Sequence, residues 1–322
     1  MNYRTIDDLN SDIKALIPKL PQELDLIVGI PRSGLLAASL ISLYLNLPLT
    51  DLDGLCDRRV FLAGKRANNK FSFDDCKKVL VIDDSIEYGT QMRLAKAAIK
   101  EAILPYDIYY ASVYTVSRVN KEIDYYSRLV YWPCCFEWNM IHHKYIGNSC
   151  VDMDGVLCRA PKEEEYDNKA KYIEFIKNVQ PILRPTHAIG WIVTNRSKEH
   201  QSLTEKWLHN NGIRCNHLLM REDDKNELFK SNIYRDIDAF LFIESSYSEA
   251  KQIAKNTGKE VLCIEANRIM HEGMINEIIG TNTPSRYFLD LVRIGIKVIK
   301  RDGWQVFFKE TNKYIKGQRV NL

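Results

Sequence analysis

Short apolar runs alternate with amphipathic stretches along most of the chain. "LDLIVGI" (residues 24–30), "KVLVID" (78–83) and "DIYYASVYTV" (107–116) have the length and continuous apolar character of strands buried on both faces. "LLAASLISLYLN" (35–46) and "QMRLAKAAIKEA" (91–102) read as the helices between them. From residue 124 to 148 the pattern becomes irregular and aromatic, with Tyr131, Trp132, Phe136 and Trp138 close together. Strand–helix alternation then resumes. "NSCVDMD", "AIGWIVT", "NHLLM", "DAFLFI" and "EVLCI" are strands, with helices over "KEHQSLTEKWLHNNG" and "SYSEAKQIAKNTG". Strands alternating with helices predict an α/β protein with two parallel-sheet domains. The boundary is placed near Gly147, giving domains at residues 1–147 and 148–283. A basic extension, 284–322, interleaves charge with apolar residues. It reads as packing against the second domain or as a peripheral docking surface for a membrane or polysaccharide-assembly partner.

Composition narrows the classes without choosing among them. At 322 residues, with 45% hydrophobic and 27% charged residues, the chain is long enough for two cores. A net charge of +3 is too small to make nucleic acid the expected partner. No apolar run approaches the ~18 residues of a membrane span, and the N-terminus lacks a signal-peptide order. The eight cysteines form no CxxC pair and no zinc spacing, so they are expected to be reduced in a cytoplasmic protein.

In "VLVIDDSIEYGTQM" (79–92) a buried strand delivers Asp83 and Asp84 to a sheet edge, followed by a polar turn into a helix. Ligands of parallel sheets lie beyond the carboxyl ends of the strands. Turn amides and a helix N-terminus receive a phosphate there, while the carboxylates accept hydroxyl hydrogens or hold a divalent cation. The pairing suits a phosphorylated sugar. This stretch resembles the ribose-phosphate loop of type I phosphoribosyltransferases, and "GIPRSG" (29–34) resembles the same family's pyrophosphate loop.

The resemblance implies a phosphoribosyltransferase-like N-terminal fold that binds phosphoribosyl pyrophosphate. Asp83 and Asp84 would meet the ribose hydroxyls, and Glu87, Tyr88, Gly89, Thr90 and Gln91 would cradle the 5-phosphate. Arg32, Ser33 and Gly34 would meet the pyrophosphate. Glu87 would be the base at the acceptor. Arg58, Arg59, Lys65 and Arg66, between the two loops, would supply positive charge to the leaving group. Tyr88 and Gln91 depart from the small hydroxyl residues usual in that family.

"VDMDG" places Asp152 and Asp154 on one face of a strand end, so one acid can attack while its neighbour handles a proton near a shared cation. The segment resembles motif one of haloacid dehalogenase-like phosphatases, and the likeness extends over most of 150–266. It implies a Rossmannoid C-terminal fold with a minimal cap, since only about forty residues separate Asp154 from Thr194. Asp152 would be the nucleophile and Asp154 the acid and base. Thr194 and Lys230 would bind phosphoryl oxygens, with Lys225 as the alternative lysine. Mg2+ would be held by Asp152, Asp154, Glu244 and the Met153 carbonyl. Ser245 replaces a usual second acid, for which Glu249 is the substitute.

Joined in one chain, the two activities would transfer 5-phosphoribosyl to an acceptor and then remove its phosphate. Nucleotide synthesis keeps that phosphate, so the expected acceptor is a glycan or similar hydroxyl, as in surface polysaccharide synthesis. Two alternatives stay open: nucleobase salvage, and a phosphoribosyl pyrophosphate-sensing domain that regulates the phosphatase.

Overall fold

The computed structural model describes residues 1–61, 71–222 and 228–272. Lys65, Arg66, Lys225 and the extension at 284–322 lie outside them. The chain divides into two compact units, one spanning Asn2–Cys134 and the other beginning at Cys135.

The first unit runs β1 (Asn2–Arg4), α1 (Ile6–Leu16), β2 (Leu26–Gly29), α2 (Gly34–Leu45), β3 (Leu49–Asp51), α3 (Leu52–Cys56), β4 (Lys78–Ile86), α4 (Thr90–Glu101), β5 (Asp107–Thr115) and β6 (Tyr125–Leu129). Its five-stranded sheet has the order β3-β2-β4-β5-β6, with every pairing parallel. Val79, Leu80, Val81 and Ile82 are all fully buried, so β4 is covered on both faces. Val79 and Val81 pack with Leu26, Val28, Leu55, Met92, Ala95 and Ile99. The helix α2 stops at Asn46, whose φ of 53° breaks the helical path before Pro48.

Two expectations change here. Strand β4 does not end at Asp83 but continues to Ile86, pairing Ser85 with Tyr114 and Ile86 with Thr115. The irregular stretch after residue 124 begins with a strand, β6, whose backbone pairs with β5 from Ala111 to Thr115. As an edge strand it is only half-buried, so "YYSRL" carries no clean apolar run.

The division cuts β7 (Cys134–Phe136) after its first residue, and the second unit goes on through β8 (Ser149–Val151), α5 (Glu163–Tyr166), α6 (Lys169–Asn178), β9 (Ile189–Ser197), α7 (Gln201–Asn210), β10 (Cys215–Arg221), α8 (Phe229–Asp236), β11 (Leu241–Glu244), α9 (Tyr247–Thr257), β12 (Val261–Cys263) and β13 (Arg268–Met270). The sheet order is β10-β9-β8-β11-β12-β13, parallel except for the last, antiparallel pair. Its core joins Cys150, Val193, Tyr234, Phe242, Ala250, Ile253 and Val261. The division falls earlier than Gly147 because the residues before β8 belong to this unit. Ile146 is 2% exposed, Tyr145 meets Phe240 edge-on at 5.3 Å, and Phe136 stacks on Trp138 at 5.1 Å. Between β8 and β9 the helices are the short α5 and α6.

Candidate functional site

In an open parallel sheet, the crevice for a ligand opens where the strand order reverses. The first sheet reverses between β2 and β4; the acids stand in the last part of β4, and the turns after the two strands carry "PRSG" and the phosphate-type loop. The backbone joins them past the last paired residue, since Ile30 N–H donates to the Ile82 carbonyl at 2.9 Å. Ser33 precedes α2 but does not cap it; its hydroxyl donates to Asp84 Oδ1 at 2.8 Å. Asp84 is buried, and its amide donates to Asp83 Oδ1 at 2.9 Å.

Gly34 makes this approach possible. A Cβ there would lie 2.8 Å from the Ile82 carbonyl oxygen and 3.1 Å from Asp83 Cα. Backbone atoms cannot swing aside, so Gly34→Ala is expected to cost about 1–3 kcal/mol, read as a fall in melting temperature. An unchanged melting temperature would mean the turn is not pressed onto β4.

Burial and the neighbouring Asp84 charge push Asp83 up to about 8 from an ordinary 3.8. Folding therefore favours the protonated acid. The stabilising contribution is full below pH 3.8 and disappears as the pH rises through about 8. Denaturation of the unliganded protein between pH 5 and 7 should show stability falling by up to about 1.4 kcal/mol per pH unit from this group. Asp83→Asn should flatten that dependence; an unaltered slope would remove Asp83 as its source.

The second turn of this site opens α4. Gly89 takes φ of 72°, and the helix begins at Thr90 with no side-chain cap and no acid in its first turn. Its free amide ends suit an anion. Arg93, which the sequence reading missed, binds this turn together: Nη1 donates to the Tyr88 carbonyl at 2.7 Å and Nη2 to Thr90 Oγ1 at 3.3 Å. The signal was its position three residues into the helix from Thr90. The Tyr88 side chain is 59% exposed, and Gln91 and Glu87 are also exposed. Burial and then the Glu87 charge push the Cys134 thiol up to about 11. Arg32 is exposed, and its peptide with Pro31 is cis. Arg58 pairs with Asp74, and Arg59 with Asp57 at 3.2 Å.

The second sheet reverses between β8 and β11, where Asp152 and Glu244 stand side by side. The Asp152 amide donates to the Ile243 carbonyl at 2.9 Å. Asp152 is 4% exposed and Glu244 0%. Lys230, from α8, reaches both: its Nζ lies 3.0 Å from Asp152 Oδ2, 2.8 Å from Glu244 Oε2 and 2.6 Å from Glu249 Oε2. Burial and the Glu244 charge raise Asp152 well above the usual carboxylate range, although Lys230 opposes them. Burial works against the Lys230 charge, but Asp152, Glu244 and Glu249 outweigh it and hold the ammonium above its ordinary value.

Ser245 Oγ lies 3.0 Å from the Asp154 carbonyl, 3.2 Å from Glu244 Oε1 and 3.5 Å from Asp152 Oδ2. Gly155 turns away with φ of 87°, and a Cβ there would strike Ser245 Cβ at 2.5 Å. Thr194 is 1% exposed, two residues beyond Ile192, the partner of Val151, and so reaches the same rim as Asp152.

The expected metal donors need one correction. The Met153 carbonyl is taken by the turn amides of Leu157 at 2.9 Å and Cys158 at 3.2 Å. The backbone oxygen beside the acids is that of Asp154. Among the described residues no three His, Cys, Asp or Glu side chains converge as a metal cluster. Two buried carboxylates, one hydroxyl and a backbone carbonyl remain, with a single ammonium on the carboxylates. Such hard oxygen donors fit Mg2+, which keeps several waters and uses few protein ligands.

Sequence reading also missed Arg196. Strand β9 continues past the apolar run to Ser197, and Arg196 is 2% exposed within it. It lies two residues from Thr194 and therefore on the same face, which was the available signal. Its Nε donates to Asp154 Oδ2 at 2.8 Å and its Nη2 to Oδ1 at 2.6 Å. Glu249 accepts from Asn195 Nδ2 at 3.2 Å as well as from Lys230, so it steadies the lysine.

The chain matches no protein-family model and no curated protein. Its N-terminal 42% is similar to solved structures of phosphoribosyltransferases. A purine phosphoribosyltransferase from Pyrococcus horikoshii is 23% identical, with 92% of that chain covered and a TM-score of 0.32. A Helicobacter pylori xanthine-guanine-hypoxanthine phosphoribosyltransferase is 14% identical over 42% of this chain and 92% of its own, with a TM-score of 0.34. An adenine phosphoribosyltransferase from Rhodothermus marinus is 17% identical over 34% of this chain and 68% of its own, with a TM-score of 0.23. All eight cysteines are reduced thiols. Among the described residues no helix is long and apolar enough to cross a membrane.

Proposed function

We propose that the chain is a bifunctional enzyme: a phosphoribosyltransferase in its first unit and a phosphatase in its second. The observation that supports this best is an acid pair at the strand-order reversal of each sheet, one against a phosphate-type loop and one against a buried lysine.

In the first site Asp83 and Asp84 accept hydrogen bonds from the ribose hydroxyls. The uncapped start of α4, with Tyr88, Gly89, Thr90 and Gln91, takes the 5-phosphate. Ser33, Gly34 and Arg32 face the pyrophosphate, with Arg58, Arg59, Lys65 and Arg66 as further positive charge. Glu87 takes the proton of the acceptor hydroxyl as the anomeric carbon becomes cationic.

In the second site the Asp152 carboxylate attacks phosphorus, and Asp154 gives a proton to the departing sugar oxygen. Lys230 and Thr194 hold phosphoryl oxygens. Asp152, Glu244 and the Asp154 carbonyl are the residues to hold Mg2+, which supplies charge neutralisation on the phosphoryl group. An aspartyl phosphate then yields to water.

The product is a plain ribofuranosyl unit, because the phosphatase removes what a nucleotide would keep. A glycan hydroxyl, as in surface polysaccharide assembly, is the acceptor that this order of reactions suits. The test is incubation with phosphoribosyl pyrophosphate and Mg2+ against saccharides, purines and orotate. Pyrophosphate release that requires a saccharide, followed by inorganic phosphate, is expected. Turnover with nucleobases alone would overturn the acceptor assignment in favour of salvage.

A further inference from the structure

Arg196 is a buried guanidinium aimed at one carboxylate, with Cys158 Sγ, 3.4 Å from its Nη2, as a further acceptor. Two of its nitrogens meet both oxygens of Asp154, its plane lies over the Phe175 ring at 5.6 Å, and its Nη1 is buried without a hydrogen-bond partner. An arginine placed only for packing gains nothing over an apolar side chain there, since burying a cation and leaving one of its N–H groups unmade both cost stability. The Cys158 thiol adds a third contact, to Asp154 Oδ1 at 3.3 Å.

We propose that Arg196 is a positioning residue that holds Asp154 as the base for the second half of the phosphatase cycle. This rests on the phosphatase reading above. In the first half an Asp152 oxygen bonds to phosphorus, the bond from phosphorus to the sugar oxygen breaks, and that oxygen leaves with the Asp154 proton. Asp154 is then a carboxylate, the form whose two oxygens the guanidinium addresses. In the second half a water oxygen bonds to phosphorus, its proton passes to Asp154, and the bond from phosphorus to Asp152 breaks to release phosphate. The guanidinium matches the carboxylate that begins this second half, so its loss falls mainly on water attack.

Rapid-quench kinetics of the full chain with p-nitrophenyl phosphate, whose leaving group needs no proton, separates the two halves. In Arg196→Gly, one equivalent of nitrophenol should appear in a burst, followed by turnover slowed by about 100-fold or more. Added guanidinium ion should restore the slow step. Arg196→Lys, which keeps the buried charge but not the two-pronged geometry, should show the same burst if the glycine variant does not fold. Equal slowing of both halves in a variant with wild-type melting temperature would overturn the role of Arg196 alone. A wild-type protein that hydrolyses no phosphoester would overturn the phosphatase reading and this inference with it.

Discussion

Asp152→Asn is expected to lower phosphate release by about 10³- to 10⁶-fold while leaving pyrophosphate release in place. The magnitude is that of removing a nucleophile whose neighbours act as a unit with it. The amide cannot form an acyl phosphate, yet it keeps the volume of the carboxylate beside Lys230 and Glu244. The variant should fold, since the replaced acid is one that burial and Glu244 already push toward neutrality. Its product with an acceptor should retain the 5-phosphate, which mass spectrometry reads as one additional phosphate per ribose. If the variant releases phosphate at the wild-type rate, Asp152 is not the attacking group. If pyrophosphate release is lost as well, the two chemistries do not belong to separate sites.

Lys230→Met should be the most damaging change to stability, by about 3–5 kcal/mol near neutral pH. It leaves Asp152 and Glu244 buried without the one ammonium that pairs with them among the described residues, and removes a partner of Glu249. The pH dependence follows from the directions of the shifts. The Lys230 charge is held above its ordinary range, so its contribution is complete at neutral pH and is lost only as the pH rises through that raised value. The orphaned carboxylates, in contrast, bind protons more readily in the folded variant. The deficit should therefore shrink as the pH falls from 7 to 5. Chemical denaturation of both proteins at the two values checks this. A variant as stable as wild type at pH 7 would mean that Lys230 does not neutralise the cluster. Glu244→Gln, which removes one carboxylate and keeps the lysine paired to Asp152, should cost much less.

Much of the architecture was legible because parallel strands buried on both faces must be apolar throughout. "LDLIVGI", "KVLVID" and "DAFLFI" can be read without knowing their neighbours. The edge strand Tyr125–Leu129 could not, because half of its surface meets solvent and its sequence mixes tyrosine, serine and arginine. The placement of the unit boundary failed for the same reason: an aromatic stretch gives no sign of which core it joins until Ile146 and Tyr145 are seen packed.

The sequence by itself determined which acids end up at the rims, since Asp83, Asp84, Asp152 and Glu244 each close an apolar run of strand length. Strand order, and therefore which rims face a crevice, was decided only by the tertiary structure. So were the partners: Ser33 turned from its helix to Asp84, Lys230 set among three carboxylates, and Arg196 buried against Asp154. Each of these contacts joins segments far apart in the chain. Backbone propensity and periodicity act over a few neighbouring residues, whereas the charge balance of a buried site is set by side chains that meet only once the sheet has closed around them.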